Sequence, residues 1–317
     1  MAFANDWERA FRSKKWNIRT AEPEGKEAMA MDCGTHQKKT EEHPCYTCGG
    51  AKNARLHLPV APKCNIQCNY CVRKFDCPNE SRPGVTTEVL SPAEALLRYR
   101  NVYGRLDNLK VVGIAGPGDA LANPEETFET LRLIRAENPD ITFCVSTNGL
   151  MLPRYAQELI DLDVSHVTVT LNAVDPAIGA HIYQFVNYDG IRYTGEEAAS
   201  LLLENQLEGL KRLTERGVVC KVNIVALKGI NDDHVEEVVK TVRALGVYIT
   251  NIMRLIPVGG SAFAQMEPLA EQDIIHLRSR CEQHLRQMYH CKHCRADAAG
   301  ALGSDIPLEG KKMCCSG

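Results

Sequence analysis

Leu56-His57-Leu58-Pro59-Val60-Ala61-Pro62-Lys63-Cys64-Asn65-Ile66-Gln67-Cys68-Asn69-Tyr70-Cys71 is the stretch on which the reading of the chain turns. An apolar run, Leu56 to Ala61, gives way to a loop carrying three thiols at spacings of four and three. The run reads as a buried strand and the loop as a metal-binding turn behind its end. An iron-sulfur cube ordinarily takes four thiolates, so a three-cysteine loop exposes one iron to a small molecule. A zinc knuckle completed by Cys77 is the alternative, because zinc also takes four cysteines. The strand before the loop and the pattern after it favour the cube.

Outward from this stretch, short apolar runs alternate with longer segments of helical spacing, which indicates β/α repetition and a parallel sheet. Strands are expected at Leu56 to Ala61, Val111 to Ala115, Thr142 to Ser146, His166 to Leu171, Cys220 to Val225 and Ile249 to Ile256. Helices are expected at Pro92 to Tyr103, Pro124 to Glu137, Pro153 to Asp161, Glu196 to Arg216, Asp233 to Leu245 and Glu271 to Tyr289. Ser91 before Pro92 and Asn123 before Pro124 each place a capping residue ahead of a proline at the first helical position. Six strands and six helices specify an α/β fold, a partial (β/α)6 TIM-like barrel, whose active site forms at the C-terminal ends of the strands. Residues 1–54, polar and without sustained periodicity, read as an irregular N-terminal extension. Residues 55–289 read as the barrel and 290–317 as a cysteine-rich tail.

A net charge of -3, with lysine and arginine dispersed, gives no basic field and argues against nucleic acid as a partner. The charged residues Asp6, Glu8, Arg9, Arg12, Lys14 and Lys15 break any secretory core, and no apolar run is long enough to span a bilayer. No membrane partner is expected, and the expected location is the cytoplasm. Fourteen cysteines in a reducing compartment call for metal ligation rather than disulfides. They fall at 33, 45 and 48, at 64, 68, 71 and 77, and at 291, 294, 314 and 315, with 144, 220 and 281 apart.

Other strand ends agree with a small-molecule site. Gly116-Pro117-Gly118-Asp119 is a turn that lets backbone and carboxylate approach a ligand's ammonium group. Ser146-Thr147-Asn148-Gly149 offers hydroxyl and amide groups suited to a ribose or carboxylate, and Asn223 and Ile256 stand at two further strand ends. With Tyr70 ahead of the third cysteine, these segments resemble the radical SAM superfamily. That resemblance implies a 4Fe-4S cluster on Cys64, Cys68 and Cys71 and S-adenosyl-L-methionine (SAM) chelated by its open iron. It also implies SAM contacts from Tyr70, Gly116, Gly118, Asp119, Ser146, Asn148, Asn223 and Ile256.

The remaining cysteines narrow the resemblance. His43-Pro44-Cys45, Cys77-Pro78-Asn79-Glu80-Ser81-Arg82-Pro83-Gly84, Ala115 to Asp119 and Cys291-Lys292-His293-Cys294-Arg295 occur in that order, and chance would rarely assemble them. Over residues 43–300 the chain resembles the radical SAM enzymes of nitrogenase cofactor biosynthesis. The resemblance implies two additional 4Fe-4S substrate clusters, fused around a SAM-derived carbide into the eight-iron precursor of the iron-molybdenum cofactor. It places one substrate cluster on Cys291, Cys294 and His43, and the other on Cys45, Cys77 and Cys144. Glu80 is then a transient oxygen ligand or proton acceptor and Arg82 a charge partner for sulfides. An iron-sulfur cluster donor, an electron donor such as a ferredoxin and a carrier protein for the product are the implied partners. A separate carrier is expected because the chain ends soon after Cys294, without the further cofactor-binding domain of some relatives. Cys48, three residues after Cys45, departs from the family pattern and leaves the ligand set open. Another radical SAM maturase with auxiliary clusters and a non-enzymatic iron-sulfur scaffold remain as alternatives.

Overall fold

A computed structural model describes residues 33–47, 49–72 and 82–307. Along them, α1 (Cys33–Glu42) leads through a turn to β1 (Ala54–His57), and a short β2 (Ile66–Cys68) lies inside the cysteine loop. Then α2 (Pro92–Tyr103), β3 (Leu109–Ile114), α3 (Pro124–Glu137), β4 (Thr142–Thr147), α4 (Leu152–Asp161) and β5 (His166–Thr170) alternate. After α5 (Pro176–Ile182) comes a hairpin of β6 (Tyr183–Tyr188) and β7 (Ile191–Tyr193). The alternation resumes with α6 (Gly195–Glu215), β8 (Val219–Ala226), α7 (Val235–Ala244), β9 (Ile249–Arg254) and α8 (Glu271–Glu282). Two short strands, β10 (Ala299–Ala301) and β11 (Ser304–Asp305), follow.

The main sheet runs β11-β10-β1-β3-β4-β5-β8-β9. Its six strands from β1 to β9 are parallel, while β10 joins β1 antiparallel. This is the partial barrel expected from the β/α alternation. Its two faces differ in chemistry. Leu56, Val112, Ile114, Phe143, Val145, Val167, Val169, Val222, Ile224 and Ile252 pack with helix residues such as Leu131, Leu159, Leu210 and Val239 in one apolar core. Because side chains alternate along a strand, the intervening positions point into the barrel. There the register aligns His57, Gly113, Cys144 and His166 at one level, and Ser146, Thr168 and Lys221 at the next. Thr170, Asn223 and Asn251 align at a third level. Gly113 makes room for the first of these, since a Cβ there would lie 3.1 Å from the His57 ring.

Two expectations are corrected. The described part of the supposedly irregular extension contains α1, whose polar sequence shows no amphipathic period. Tertiary bonds hold it instead: Thr40 Oγ1 meets His166 Nε2 at 3.0 Å, and Lys39 pairs with Asp163 at 2.7 Å. The last helix ends at Glu282 rather than Tyr289, because the following residues pair with β9. Thr250 N donates to Arg286 O at 3.0 Å and Met288 N to Thr250 O at 2.8 Å. That pairing covers the free edge of β9.

Candidate active site

Main chain, from two loops, fixes the three-cysteine turn. Gly118 N donates to Ala61 O at 2.7 Å and Asp119 N to Lys63 O at 2.8 Å. The Asn123 amide accepts from Lys63 N at 3.1 Å and donates to Lys63 O at 2.8 Å. A Cβ on Gly118 would lie 2.1 Å from Lys63 O and 2.6 Å from Pro62 O, so this glycine permits the close approach of the two backbones. Gln67 Nε2 closes the turn by donating to the carbonyls of Cys68 and Cys71 at 2.9 and 2.8 Å. β2 in turn pairs with β6, which anchors Cys68 to the hairpin.

Cys64, Cys68 and Cys71 are half-buried. Asn148 Nδ2 stands 3.6 Å from Cys64 Sγ and donates to Asn65 Oδ1 at 2.7 Å. The Tyr70 hydroxyl accepts from Asn172 Nδ2 at 3.0 Å, and burial, followed by Cys68, pushes its pKa well above the ordinary phenol value. Asp119 is buried and its carboxylate is engaged from four sides. Oδ1 accepts from Leu121 N at 2.9 Å, Ala122 N at 3.2 Å and Thr147 Oγ1 at 3.1 Å, and Oδ2 from Asn148 N at 2.5 Å. Burial raises its pKa while these bonds oppose the rise. Asp119 thus ties the turn after β3 to the end of β4.

These loops surround a cavity of about 280 Å³. The three loop cysteines and Tyr70 line it, as do Gly118, Asp119, Ser146, Asn148 and Asn223 from the strand ends. Cys45 comes from the turn after α1, and Cys291 and Cys294 from the segment after α8. Arg82 and Ile256 line an adjoining hollow of about 170 Å³ that shares Tyr70, Cys71, Asn223 and His293 with the first. Gly116 shapes the turn behind the wall with a left-handed φ of 126°. Cys77 and Glu80 lie outside the described residues.

His43 and Cys144 stand behind the lining. His43 is buried, its Nδ1 accepts from Cys45 N at 3.1 Å, and its buried Nε2 has no hydrogen-bond partner among the described residues. Its ring packs against Tyr46 and His166 at 4.6 and 4.7 Å between centroids. Cys144 packs with Tyr46 and Met288 in the same small cluster as Cys45 and Cys291. Burial pushes the Cys144 thiol up to about 12, opposed by the Lys221 ammonium, and raises Cys45 with the same opposition.

Besides Ser146 and Asn223, the barrel interior holds polar side chains that no motif in the sequence marks. Arg55, almost fully buried, donates to Gly300 O at 2.6 Å and to Cys294 Sγ at 3.2 Å, and pairs with Asp305 at 2.6 Å. His57 Nδ1 donates to Arg295 O at 2.9 Å. Thr168, Lys221 and Asn251 also reach the cavity. A signal existed: Arg55 with His57, and Lys221 with Asn223, are polar residues two apart in otherwise apolar strands, which puts each pair on one face.

Burial, then the Arg55 charge, lowers His57 to about 4 from an ordinary 6.5. The folded protein therefore holds His57 neutral while the unfolded chain takes up a proton below about pH 6.5. The stability due to this shift is present above that pH and is lost as pH falls toward 4, on the order of 3 kcal/mol in all. The melting temperature of iron-free protein is expected to drop between pH 7 and pH 4.5, with a shallower slope in His57→Asn. Equal slopes in the two proteins would rule His57 out as the cause.

The donor set suits an iron-sulfur cube and a polar ligand. Soft thiols share the cavity lining with hydroxyl and amide groups. Asn251 Oδ1 and His293 Nε2, on residues that line the cavity, are buried polar atoms with no partner among the described residues. Among the described residues no three His, Cys, Asp or Glu side chains are grouped to hold one ion. A cube takes one thiolate per iron, so its ligands stand apart.

Residues 58–242 match the Radical SAM superfamily model. Proteins named "FeMo cofactor biosynthesis protein NifB" are similar over most of this chain. The one from Klebsiella pneumoniae is 52% identical over 273 residues, covering 84% of this chain and 58% of its own. The one from Frankia alni is 49% identical over 278 residues, covering 84% and 54%. The chain thus spans little more than half the length of these relatives. Among solved structures, Streptococcus suis SuiB bound to S-adenosylmethionine superposes with a TM-score of 0.54 at 16% identity, over 80% of this chain and 53% of that one. Methylornithine synthase (PylB) gives 0.52 at 13%, over 80% and 68%. At those identities the likeness is one of fold. No described helix is long and apolar enough to cross a membrane.

Proposed function

The chain belongs to the radical SAM superfamily, and on that footing we propose that it builds the eight-iron, carbide-centred precursor of the nitrogenase iron-molybdenum cofactor. Its substrates would be two 4Fe-4S clusters and SAM. The observation that carries this reading is the meeting of three separate cysteine groups, Cys64/Cys68/Cys71, Cys45 and Cys291/Cys294, on one cavity. An enzyme that only cleaved SAM would need the first group alone.

Cys64, Cys68 and Cys71 would hold the resident cluster. When bound, that cluster and SAM supply reductive cleavage of SAM to a deoxyadenosyl radical. Gly118, Ser146, Asn148 and Asn223 offer the backbone and polar groups that would orient SAM beside the loop, with Tyr70 packing alongside and Ile256 flanking the adjoining hollow. Cys291 and Cys294, with His43, would hold one substrate cluster, and Cys45, Cys144 and Cys77 the other. Few and shared ligands suit a product that must leave. Glu80 would accept a proton and Arg82, at the hollow beside Cys71, would face sulfide charge. The walls' contribution is to position the clusters and exclude water, leaving the hard chemistry to the cofactor. A cluster donor, a ferredoxin-like reductant and a carrier for the product would complete the system.

Iron-loaded protein incubated anaerobically with dithionite and SAM is expected to form both 5′-deoxyadenosine and S-adenosylhomocysteine. Deoxyadenosine alone would assign the chain to another radical SAM reaction. Neither product from a fully loaded protein would leave an iron-sulfur scaffold.

A further inference from the structure

Lys221 is 6% exposed, on the inner face of β8, and lines the cavity. Among the described residues its side chain makes no hydrogen bond or ion pair that would offset its burial. Its one contact of note is the Tyr46 ring, whose centroid lies 4.9 Å from Nζ. An ammonium drawn out of bulk water is costly unless it is paired, and the Tyr46 contact offsets part of that cost. No carboxylate among the described lining residues completes the pairing. Asp119 is the sole carboxylate among the described lining residues, and four internal donors already occupy it. The other lining lysine, Lys292, is exposed. The cavity thus presents positive charge, deepest where Cys45 enters and where Cys144 packs behind Tyr46.

We propose that Lys221 is the positioning residue that holds an anionic iron-sulfur substrate against the Cys45 side of the cavity. The inference rests on the reading that substrate clusters bind there. Thiolate-ligated clusters are anions rich in sulfide acceptors, and an ammonium has three donors and no acceptor. Because Lys221 is not a ligand to iron, it would let the fused product go once the thiolates release it.

The test separates substrate iron from the resident cluster. In full-length protein with Cys64→Ala, Cys68→Ala and Cys71→Ala, reconstituted iron should remain on the other cysteine groups. Adding Lys221→Met is expected to speed its loss to a chelator by on the order of tenfold, the scale of a buried charge partner removed. The same change should lower the cluster's midpoint potential in an EPR titration, because a nearby cation favours the more negative reduced state. Lys221→Arg should restore both. A merely structural lysine would lower the melting temperature without moving the potential. Unchanged chelation rate and potential in Lys221→Met would overturn the inference alone. No iron on the triple-alanine parent would overturn the reading of substrate clusters and this inference with it.

Discussion

Cys64→Ala is expected to reduce deoxyadenosine formation to the level of an enzyme-free control. Cys64 follows Lys63, the residue gripped at both N–H and C=O by Asn123, and its sulfur faces Asn148. A cube left with two loop thiolates has a second open iron, and SAM no longer has a unique seat. Cys220→Ala is the matched control. Cys220 is wholly buried, lies in the apolar core, and has its thiol pushed up to about 12 by burial. Its loss should cost about 1 kcal/mol of stability and leave product formation in place. Survival of deoxyadenosine formation in Cys64→Ala would remove the loop from the chemistry.

Gly118→Ala is expected to cost on the order of 3 kcal/mol of stability and to abolish SAM binding in an equilibrium assay. The added methyl would sit 2.1 Å from Lys63 O, 2.6 Å from Lys63 C and 2.6 Å from Pro62 O, all backbone. No side chain can swing away to relieve this. Relief requires the loops to part, breaking the bonds from Gly118 N to Ala61 O and from Asp119 N to Lys63 O. Gly259, with no atom within 4 Å of an added Cβ, should accept alanine at little cost. Normal SAM affinity in Gly118→Ala would mean that the clamp does not set the site.

Much of this frame was legible in the sequence because local chemistry and tertiary role agreed. α2 runs from Pro92 to Tyr103 as its cap predicts, with Ser91 Oγ accepting from Glu94 N at 3.4 Å and Glu94 Oε2 accepting from Ser91 N at 2.8 Å. α3 also starts at Pro124 as expected, yet Asn123 makes no cap bond and uses its amide on Lys63 instead. Where tertiary contacts decide, the reading failed. α1 has no apolar period to reveal it, and the residues after Glu282 keep a helical pattern while pairing with β9. The β6–β7 hairpin was missed although its turn was visible. Asp189 and Gly190 both adopt positive φ, 48° and 80°, as an Asp-Gly hairpin turn requires. The cysteine loop is legible because its spacing is local. Lys221 is not marked out in the sequence, because only the closing of the barrel shows which face of β8 is enclosed.

The pairing of the two ends of the described chain bears on when iron can enter. His290 Nε2 donates to Pro44 O at 3.0 Å across 246 residues, and Arg55 reaches Gly300 O across 245. A ribosome adding roughly 5 to 20 residues per second exposes the early cysteines many seconds before Cys291 and Cys294 exist. During that interval the thiols at 45, 64, 68 and 71 share no enclosed chamber. Metal delivered to the nascent chain would meet an open, exchangeable site until β10 has docked beside β1.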